Sequence, residues 1–305
     1  MNVKDLKGNL FLLIATIIWG CTFVAQDIAA EIIGAFEFQA VRTIIGAAVL
    51  IPVIWVMDKM KKKSGTYTRP SKTDNKNLLL GGFVCGLCHC VAACLQQFGM
   101  TMGTDPGKAG FITAMYIIFV PIIGLLLKKK IQPHIYACIV FAIAGLYLLC
   151  VGTESFCVAL SDIVTLLCAV AFAFHILSVD YFVEKSDCVK LSFVQFAVSG
   201  VLSAIMTFIF EGGFHPDLIV KVIGPILFAG VLSCGVAYTF QVIGQKFSSS
   251  STVASLIMSF ESVVATIAGA IILNQMMSGR ELIGCALMFA AIIFSQLPSK
   301  KKELQ

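Results

Sequence analysis

The sequence predicts an all-α integral membrane protein with ten transmembrane helices, arranged as two inverted five-helix repeats with both termini in the cytoplasm. Three observations carry this prediction: an apolar composition, the length of the apolar segments and an internal similarity at a fixed offset. The chain has 305 residues, of which 58% are hydrophobic and 13% are charged. Soluble domains are about 45 to 50% apolar and about 25% charged. We therefore expect the helices to lie in lipid.

The apolar segments are long enough to cross a membrane, because about 20 residues at 1.5 Å per residue span the roughly 30 Å hydrocarbon core. They are continuous, and they lack the alternation of polar and apolar residues that lipid-facing strands show. The first segment follows Lys4 and Lys7, but it is too long for a signal-peptide core and no cleavage site follows it, so we expect it to be retained. The predicted spans cover residues 10–28, 37–56, 77–99, 108–127, 134–151, 160–179, 191–210, 219–243, 251–273 and 280–297.

The distribution of lysine and arginine sets the orientation. With the N-terminus inside, the outer ends of the spans hold only Lys108, Lys221 and Arg280, and every other lysine and arginine except Arg42 falls at an inner end. Positively charged residues near span ends stay on the cytoplasmic side. We therefore predict two cytoplasmic termini and read the net charge of +5 as a topology signal. Contact with anionic membrane lipid is a secondary effect, and nucleic-acid binding has no support.

An internal similarity appears at an offset of 145 residues. The stretch QQFGMTMGTDPGKAGFITAMYIIFVPIIG, from Gln96, lies over QVIGQKFSSSSTVASLIMSFESVVATIAG, from Gln241. Spans 3, 4 and 5 thereby correspond to spans 8, 9 and 10. A repeat of five spans is odd, so the second copy must insert upside down, an arrangement typical of transporters with a site near the midplane. We place the repeats at residues 1–152 and 153–305.

Four stretches resemble the EamA repeats of the drug/metabolite transporter superfamily: IIWGCTFVAQDIA in span 1, Val41-Arg42 in span 2, GKAGFITAMYIIFVPIIGLLL in span 4 and SSSSTVASLIMSFESVVATIAGAIIL in span 9. The resemblance implies the inverted ten-helix fold, with a central cavity lined mainly by spans 1, 3, 4, 6, 8 and 9. It also implies the export or exchange of amino acids and other small metabolites without ATP, in the bacterial cytoplasmic membrane.

Polar side chains in three of these spans predict a cavity lining, because polar atoms inside a bilayer are costly and tend to face the interior of the helix bundle. At 100° per residue, each set shares one helix face. The sets are Trp19, Thr22 and Gln26 in span 1; Cys85, His89 and Gln96 in span 3; and Cys234, Tyr238 and Gln241 in span 8. We predict that Trp19, Gln26, His89, Gln96, Tyr238 and Gln241 bind substrate. The alternative is helix packing through hydrogen bonds of about 0.6 kcal/mol each.

Glu261 is the sharpest single candidate. It lies about 15 Å into span 9, where an ionised carboxylate is costly. It could couple transport to protons or receive a substrate ammonium, and the alternative is an internal structural hydrogen bond. A second polar stripe lies about 130° away on the same predicted helix, so both faces cannot meet one narrow cavity. That stripe consists of Ser255, Ser259, Ser262 and Thr266.

Three further residues have open roles. Arg42 is predicted to be a structural charge that extends outward or pairs with Glu37, Glu31 or Asp27, and the alternative is contact with a substrate carboxylate. His175 could bind substrate and titrate near neutral pH, although a lone membrane histidine more often bonds a neighbouring helix. Tyr116 aligns with Glu261 in the repeat and could offer its hydroxyl or its ring to substrate, or fill the core.

The stretch CGLCHC, residues 85 to 90, contains the attachment signature of a c-type haem. It motivates an alternative of another class, a membrane redox or haem protein. We disfavour this alternative because Cys85 to His89 lie about 12 to 18 Å into span 3, and four ligands on one straight helix suit zinc poorly. Gly82, Gly86, Cys90 and Cys94 instead form a small-residue stripe suited to close helix contact.

The chain lacks a Walker loop, a dinucleotide fingerprint and an HExxH motif, so we predict no cofactor, no metal and no enzyme activity. The main prediction is a secondary transporter that exports amino acids or other small metabolites by alternating access, with proton entry as the driving reaction. Nutrient uptake or exchange by the same fold is the alternative. The sequence leaves the substrate, the direction of transport and the formation of a homodimer open.

Overall fold

The computed structural model describes residues 3–104, 106–150, 159–272 and 278–295, and all regular structure in these residues is helical. A 3-10 turn, Val183–Lys185, follows α7, and a π-helix, Phe228–Ala237, joins α10 to α11. The α-helices are α1 (Val3–Ala30), α2 (Ala35–Lys63), α3 (Lys72–Thr101), α4 (Pro106–Ala114), α5 (Tyr116–Leu126), α6 (Pro133–Cys150), α7 (Leu160–Phe182), α8 (Cys188–Phe210), α9 (Pro216–Lys221), α10 (Ile223–Leu227), α11 (Tyr238–Phe247), α12 (Ser251–Met258), α13 (Glu261–Ile272) and α14 (Gly279–Ser295).

Eight helical segments of the described chain are long and apolar enough to cross a membrane, and they fall on eight of the predicted spans. Two shorter apolar helical segments, Pro133–Leu148 and Leu282–Ser295, fall on predicted spans 5 and 10. The prediction of an all-helical, multi-pass membrane protein is thus confirmed. The count of ten spans, the inverted arrangement and the cytoplasmic termini stay predictions. The predicted repeat boundary at residues 152 and 153 lies outside the described residues.

Predicted spans 4 and 9 are each interrupted near their middle. In span 4, Met115 separates α4 from α5, and in span 9 Ser259 and Phe260 separate α12 from α13. At both sites the backbone forms hydrogen bonds between residues three apart, as in a 3-10 turn. The N–H of Ile118 donates to the carbonyl of Met115 (2.9 Å), and the N–H of Val263 donates to the carbonyl of Phe260 (3.0 Å). Tyr116 and Glu261 therefore each begin the second half-helix of an interrupted span.

The predicted small-residue stripe on α3 faces α8. A Cβ at Gly86 would lie 2.6 Å from the carbonyl oxygen of Gln195, and the thiols of Cys90 and Cys94 lie 3.4 and 3.6 Å from the Ser203 hydroxyl. Only a residue without a side chain permits this approach at Gly86. The haem-like stretch is therefore part of a helix-packing groove.

Ion pairs tie helices together at both ends of the bundle. We call the side at which α1 begins the inner side. Helices that alternate in direction place Lys61, Lys129 and Lys190 on the inner side, where they pair with Asp187, Asp180 and Asp58. On the outer side, Lys108 pairs with Asp162 at 2.6 Å and His215 with Glu37 at 3.1 Å. Each pair joins two helix ends that the predicted topology places on the same side.

Candidate functional site

A cavity lies in the middle of the bundle. Its walls come from both halves of the chain and include the interruptions in spans 4 and 9. The lining residues are Trp19, Thr22, Phe23, Gln26, Arg42, Gln96, Thr113, Tyr116, Phe172, Ile176, Ser233, Tyr238, Gln241, Met258 and Glu261.

Glu261 lies on the cavity wall and is 5% exposed. Its Oε1 accepts a hydrogen bond of 3.0 Å from the Tyr116 hydroxyl, so the residues that begin the two second half-helices meet directly. No ion pair within the described residues includes Glu261. A buried carboxylate without a cation is costly, so this group must carry a proton or face a cation from outside the protein.

Arg42 also lines the cavity, and its side chain is only 2% exposed. Its Nε donates to Gln39 Oε1 at 2.5 Å, and its guanidinium carbon lies 5.1 Å from the centre of the Phe38 ring. The expected pairing with Glu37 is wrong, because that carboxylate accepts bonds from the backbone N–H and ring Nδ1 of His215. The expected outward extension is also wrong, since α2 packs against the π-helix and α8 and encloses the guanidinium.

Aromatic rings form one wall of the cavity. Trp19 and Tyr238 lie with ring centres 4.7 Å apart, and Phe172 is a further lining residue. The indole N–H of Trp19 and the side-chain oxygen of Gln241 are buried without a protein partner in the part of the chain that the structure describes. Buried polar atoms are seldom left unpaired. One unused donor and one unused acceptor therefore stand in the wall.

An amide cluster forms the outer wall. The Gln26 side-chain NH₂ donates to the oxygens of Gln96 and Gln97, both at 3.0 Å, and the Gln96 NH₂ donates to the Thr113 hydroxyl at 3.1 Å. Gln26 and Gln96, which the sequence predicts as substrate contacts, line the cavity and are hydrogen-bonded to each other. The cluster links α1, α3 and α4.

An apolar cluster lies next to the amide cluster. Phe23, Met100, Ala109 and Ala265 form one buried cluster. Met100 follows Gln96 on α3 by one turn, Ala109 precedes Thr113 on α4 by one turn, and Ala265 follows Glu261 on α13 by one turn. Phe23 precedes Gln26 on α1 and lines the cavity itself, so the apolar cluster extends from the cavity towards the outer side.

His89 and His175 do not line the cavity, although the sequence predicted both as substrate contacts. The ring of Tyr238 stands in front of them, with centres 4.7 Å from His89 and 6.0 Å from His175. Each histidine bonds α8 instead: His89 Nδ1 lies 3.0 Å from the Ser199 hydroxyl and His175 Nε2 lies 3.1 Å from Gln195 Oε1. The stripe on span 3 therefore splits, with Gln96 in the cavity and His89 behind it.

The polar stripe of span 9 does not compete with Glu261 for the cavity. All four hydroxyls donate to backbone carbonyls, among them that of Ser262 to Gly110 on α4 at 2.9 Å. The sequence interpretation treated span 9 as one straight helix. Met258 and Glu261, which lie on either side of the interruption at Ser259 and Phe260, both line the cavity.

The sequence missed several lining residues. Phe172 and Ile176 are apolar and carry no signal that distinguishes a cavity from lipid. Thr113 and Met258 are 145 residues apart, the offset of the internal repeat. The pairs Gln96 with Gln241 and Tyr116 with Glu261 have the same offset, so the repeat is a signal that could have identified Thr113 and Met258. Ser233 lies in the π-helix, and no local pattern marked it.

The chemistry of this cavity suits binding. Its lining residues offer one guanidinium, one carboxyl group, hydroxyls, amides and aromatic rings. The described residues contain no group of three or more histidine, cysteine or acidic side chains placed to hold a metal ion. Cys85 and His89 of the haem-like stretch are fully buried by protein side chains. These observations favour a site for a small polar molecule.

Comparisons with known proteins give a consistent result. A model of the EamA-like transporter family matches residues 6–151 and 159–297. The chain is 26% identical to an uncharacterized transporter of Archaeoglobus fulgidus, over 97% of this chain and 88% of that protein. It is 25% identical to the uncharacterized transporter YwfM of Bacillus subtilis, over 97% of both chains. A protein of known crystal structure has a similar fold, with a TM-score of 0.72 and 18% identity over 95% of this chain and 96% of that one.

Proposed function

Because the chain belongs to the EamA-like transporter family, we propose that it moves a small zwitterionic metabolite across the membrane by alternating access. Family membership makes the chain a multi-pass membrane transporter and not an enzyme. Beyond that, the proposal assigns the central cavity as the substrate site and the bacterial cytoplasmic membrane as its location.

The opposed charges of Arg42 and Glu261 carry the proposal. Both side chains are buried and both line the cavity, yet neither belongs to an ion pair within the described residues. A carboxylate would bind the guanidinium in a charge-assisted, bidentate manner, and an ammonium would bind the Glu261 carboxylate. A molecule that carries both groups satisfies both side chains at once.

The aromatic wall supports a substrate with a modest side chain. Trp19 and Tyr238 offer ring faces, and the unused indole N–H of Trp19 and the unused oxygen of Gln241 offer polar contacts. Amino acids carry both a carboxylate and an ammonium group, so they are the first substrate class to test.

Several observations support alternating access between two inverted repeats. The family model matches the chain twice, in residues 6–151 and 159–297. The interruptions at Met115 and Phe260 are 145 residues apart, and three pairs of lining residues share that offset. Interrupted helices at the interface of inverted repeats are where transporters bind substrate. In this proposal the amide cluster and the apolar cluster above it form a closed outer gate.

Proton coupling is assigned to Glu261. Its carboxyl group can hold a proton or face a substrate ammonium, but it cannot do both, so substrate and proton compete for the site. Such competition favours exchange, and we propose export of the metabolite against proton entry. Nutrient uptake remains the alternative, and the sign of the pH gradient that drives accumulation in oriented vesicles separates the two.

Counterflow in proteoliposomes tests the proposal. The probes are radiolabelled alanine, serine, leucine and phenylalanine, with a nucleoside and a sugar phosphate as probes of other classes. We expect counterflow of at least one amino acid, and a loss of at least about tenfold, or about 1.4 kcal/mol, in Arg42→Gln. Arg69→Gln, an exposed arginine of the α2–α3 loop, is the matched control and should retain full activity. Counterflow of only the nucleoside or the sugar phosphate would contradict a zwitterionic substrate.

A further inference from the structure

Two buried side chains, one helical turn before Arg42 on α2, hold its guanidinium. Gln39 precedes Arg42 by three residues and Phe38 precedes it by four, and both side chains are 0% exposed. Long side chains of a helix point back towards its N-terminus, so residues at these spacings meet. Gln39 Oε1 accepts from Arg42 Nε at 2.5 Å, and the Phe38 ring centre lies 5.1 Å from the guanidinium carbon. The guanidinium is therefore fixed at its Nε and packed on an aromatic ring.

The amide group of Gln39 has only one possible orientation in this contact. The Nε–H of an arginine can only donate, so the atom of Gln39 that faces it must be the amide oxygen. The NH₂ group of Gln39 is then buried without a partner among the described residues. An unpartnered buried donor lowers stability. The only hydrogen bond that this side chain makes in the described chain is the one that fixes Arg42.

The carboxylates at the outer end of α2 are bound by other donors. Glu37 accepts from the backbone N–H and the ring Nδ1 of His215. Glu211 accepts from the backbone N–H groups of Phe36 and Glu37, at 3.0 and 2.8 Å. None of the ion pairs between described residues includes Arg42. The guanidinium is therefore held by neutral groups and keeps its charge for a ligand.

The free part of the Arg42 guanidinium is its terminal edge, which consists of Nη1 and Nη2. Neither nitrogen has a hydrogen-bond partner among the described residues. Unlike the NH₂ group of Gln39, neither is sealed from open space, and the space that Arg42 lines is the central cavity. A guanidinium can bind a carboxylate in a bidentate manner through its terminal edge or through the edge that contains Nε. Gln39 occupies Nε, so the terminal edge is the one left for a ligand.

We propose that Gln39 is a positioning residue that holds Arg42 so that a substrate carboxylate binds the terminal edge, with one oxygen on each of Nη1 and Nη2. Because Gln39 and Phe38 already hold the guanidinium, the substrate does not have to order it on binding. The inference rests on the proposed function, since it takes Arg42 as the carboxylate site. It adds the residue that orients this site and the edge that the substrate contacts.

NMR of the protein in nanodiscs tests the orientation without any substrate. The chain has three arginines, Arg42, Arg69 and Arg280, so the ¹⁵Nε–H signal that disappears in Arg42→Gln is that of Arg42. Gln39→Met keeps a similar volume but removes the acceptor, so this proton should exchange with water at least about tenfold faster than in the wild type. Gln132→Met, at an exposed position before α6, is the matched control and should leave the exchange rate unchanged. Equal exchange rates in the wild type and Gln39→Met would overturn the inference.

Counterflow in proteoliposomes supplies a second readout. The probes are alanine, serine, leucine and phenylalanine, each with its α-amide, which keeps the ammonium group but lacks the carboxylate. Gln39→Glu keeps an acceptor for Arg42 Nε but places a permanent carboxylate beside the guanidinium, where it competes with the substrate. We expect its KM for the amino acid to rise at least about tenfold with little change in the maximal rate, and the preference for the amino acid over the amide to fall by the same factor.

Gln39→Met should raise the KM by a smaller factor, about threefold, because Arg42 keeps its charge and loses only its orientation. Gln132→Met should keep the wild-type KM. A wild-type KM and a wild-type preference over the amide in both Gln39 variants would overturn the inference and leave the proposed function standing. A lower maximal rate at an unchanged KM would assign Gln39 a purely structural role and would also overturn it. Absence of counterflow for all four amino acids in the wild type would instead overturn the proposed function, while the exchange rates would still decide whether Gln39 holds Arg42.

Discussion

The two interrupted spans occupy equivalent places in the chain but are held in different ways. The α4–α5 span is fixed to α7 by an ion pair at each end, Lys108 with Asp162 outside and Lys129 with Asp180 inside. None of the ion pairs between described residues reaches the α12–α13 span. That span is held by apolar packing, by the hydroxyl bond from Ser262 to the Gly110 carbonyl and by the bond from the Tyr116 hydroxyl to Glu261.

The close packing of α13 against α1 takes the place of ionic contacts. Gly20 on α1 lies so near α13 that an added Cβ would meet the Ala265 backbone nitrogen at 2.8 Å. Within the described residues, the α12–α13 span has no ionic contact, whereas an ion pair at each end ties α4–α5 to α7. If the proposed alternating access holds, we expect α4–α5 and α7, which we call the static wall, to keep their positions, and α12–α13, which carries Glu261, to move.

The largest expected difference concerns the two residues at the interruptions. Glu261→Gln removes the only carboxyl group among the lining residues, and gradient-driven transport should fall by at least about tenfold, with counterflow losing its pH dependence. Tyr116→Phe removes a hydroxyl on the static wall and leaves that carboxyl group in place. We expect a loss of only about threefold, close to 0.7 kcal/mol for one hydrogen bond.

The control for this pair is Glu184→Gln, which alters an exposed carboxylate on the inner loop. Its transport should match that of the wild type. Equal losses of transport in Glu261→Gln and Tyr116→Phe would mean that the two interruptions contribute equally to transport. The proposed difference between the α12–α13 span and the static wall would then be wrong.

The next prediction concerns volume at the α1–α13 contact. Gly20→Ala places a methyl group against the Ala265 backbone and the Val264 side chain, so we expect a loss of about 1 to 3 kcal/mol in stability from overpacking. Gly107→Ala on α4 is the matched variant, because no atom lies within 4 Å of its added Cβ. That change should be neutral or stabilise by up to about 1 kcal/mol. Thermal unfolding in detergent measures both variants.

Polarity inside lipid is informative, and the residues chosen for it lie at the cavity: Trp19, Gln26, Gln96, Tyr116, Tyr238, Gln241 and Glu261. Their roles in substrate binding and proton coupling stay predictions. The geometry between spans could not be predicted in the same way. His89 has the same helical phase as Gln96, yet a tyrosine from another helix covers it.

The interruptions of spans 4 and 9 were also invisible in the sequence. Met115 and Phe260 are ordinary apolar residues, and no proline or glycine marks either position. The position of Arg42 near the outer end of span 2 allowed an outward orientation. Only the packing of α2 against its neighbours shows that the guanidinium is enclosed.

A smaller effect on stability should follow when the ion pair between Lys108 and Asp162 is removed from the static wall. Asp162 accepts from Lys108 and from the backbone N–H of Ala159, and its side chain is 6% exposed. Asp162→Asn keeps an acceptor for Ala159 but removes the ion pair, so we expect a loss of about 1 kcal/mol. Asp217→Asn, an exposed outer aspartate, should change stability by less than about 0.5 kcal/mol. A double variant with Lys108→Gln that is no less stable than Asp162→Asn would show that the ion pair is what was lost.

The smallest effect is a pH dependence at an ion pair outside both interrupted spans. Asp187 caps α8 through the N–H groups of Val189 and Lys190 and pairs with Lys61 at 2.9 Å. Burial raises the pKa of Asp187, but the bonds from Lys61 and the Lys190 backbone outweigh it and hold the pKa below its ordinary value. A carboxyl group with a lowered pKa stabilises the fold at pH values above its unfolded pKa, and this contribution is lost as the pH falls through the folded pKa.

Asp187→Asn isolates that contribution, because asparagine caps a helix as well as aspartate does but cannot pair with a lysine. Near neutral pH the variant should unfold slightly more easily than the wild type, by about 0.5 to 1 kcal/mol for a partly exposed pair. Below the folded pKa of Asp187 the two proteins should have equal stability. A difference that persists at acidic pH would place the effect in the cap and not in the charge. The ion pairs of α4–α5 would then also be expected to add little stability. In that case only the packing of α4–α5 against α7 would hold the static wall together.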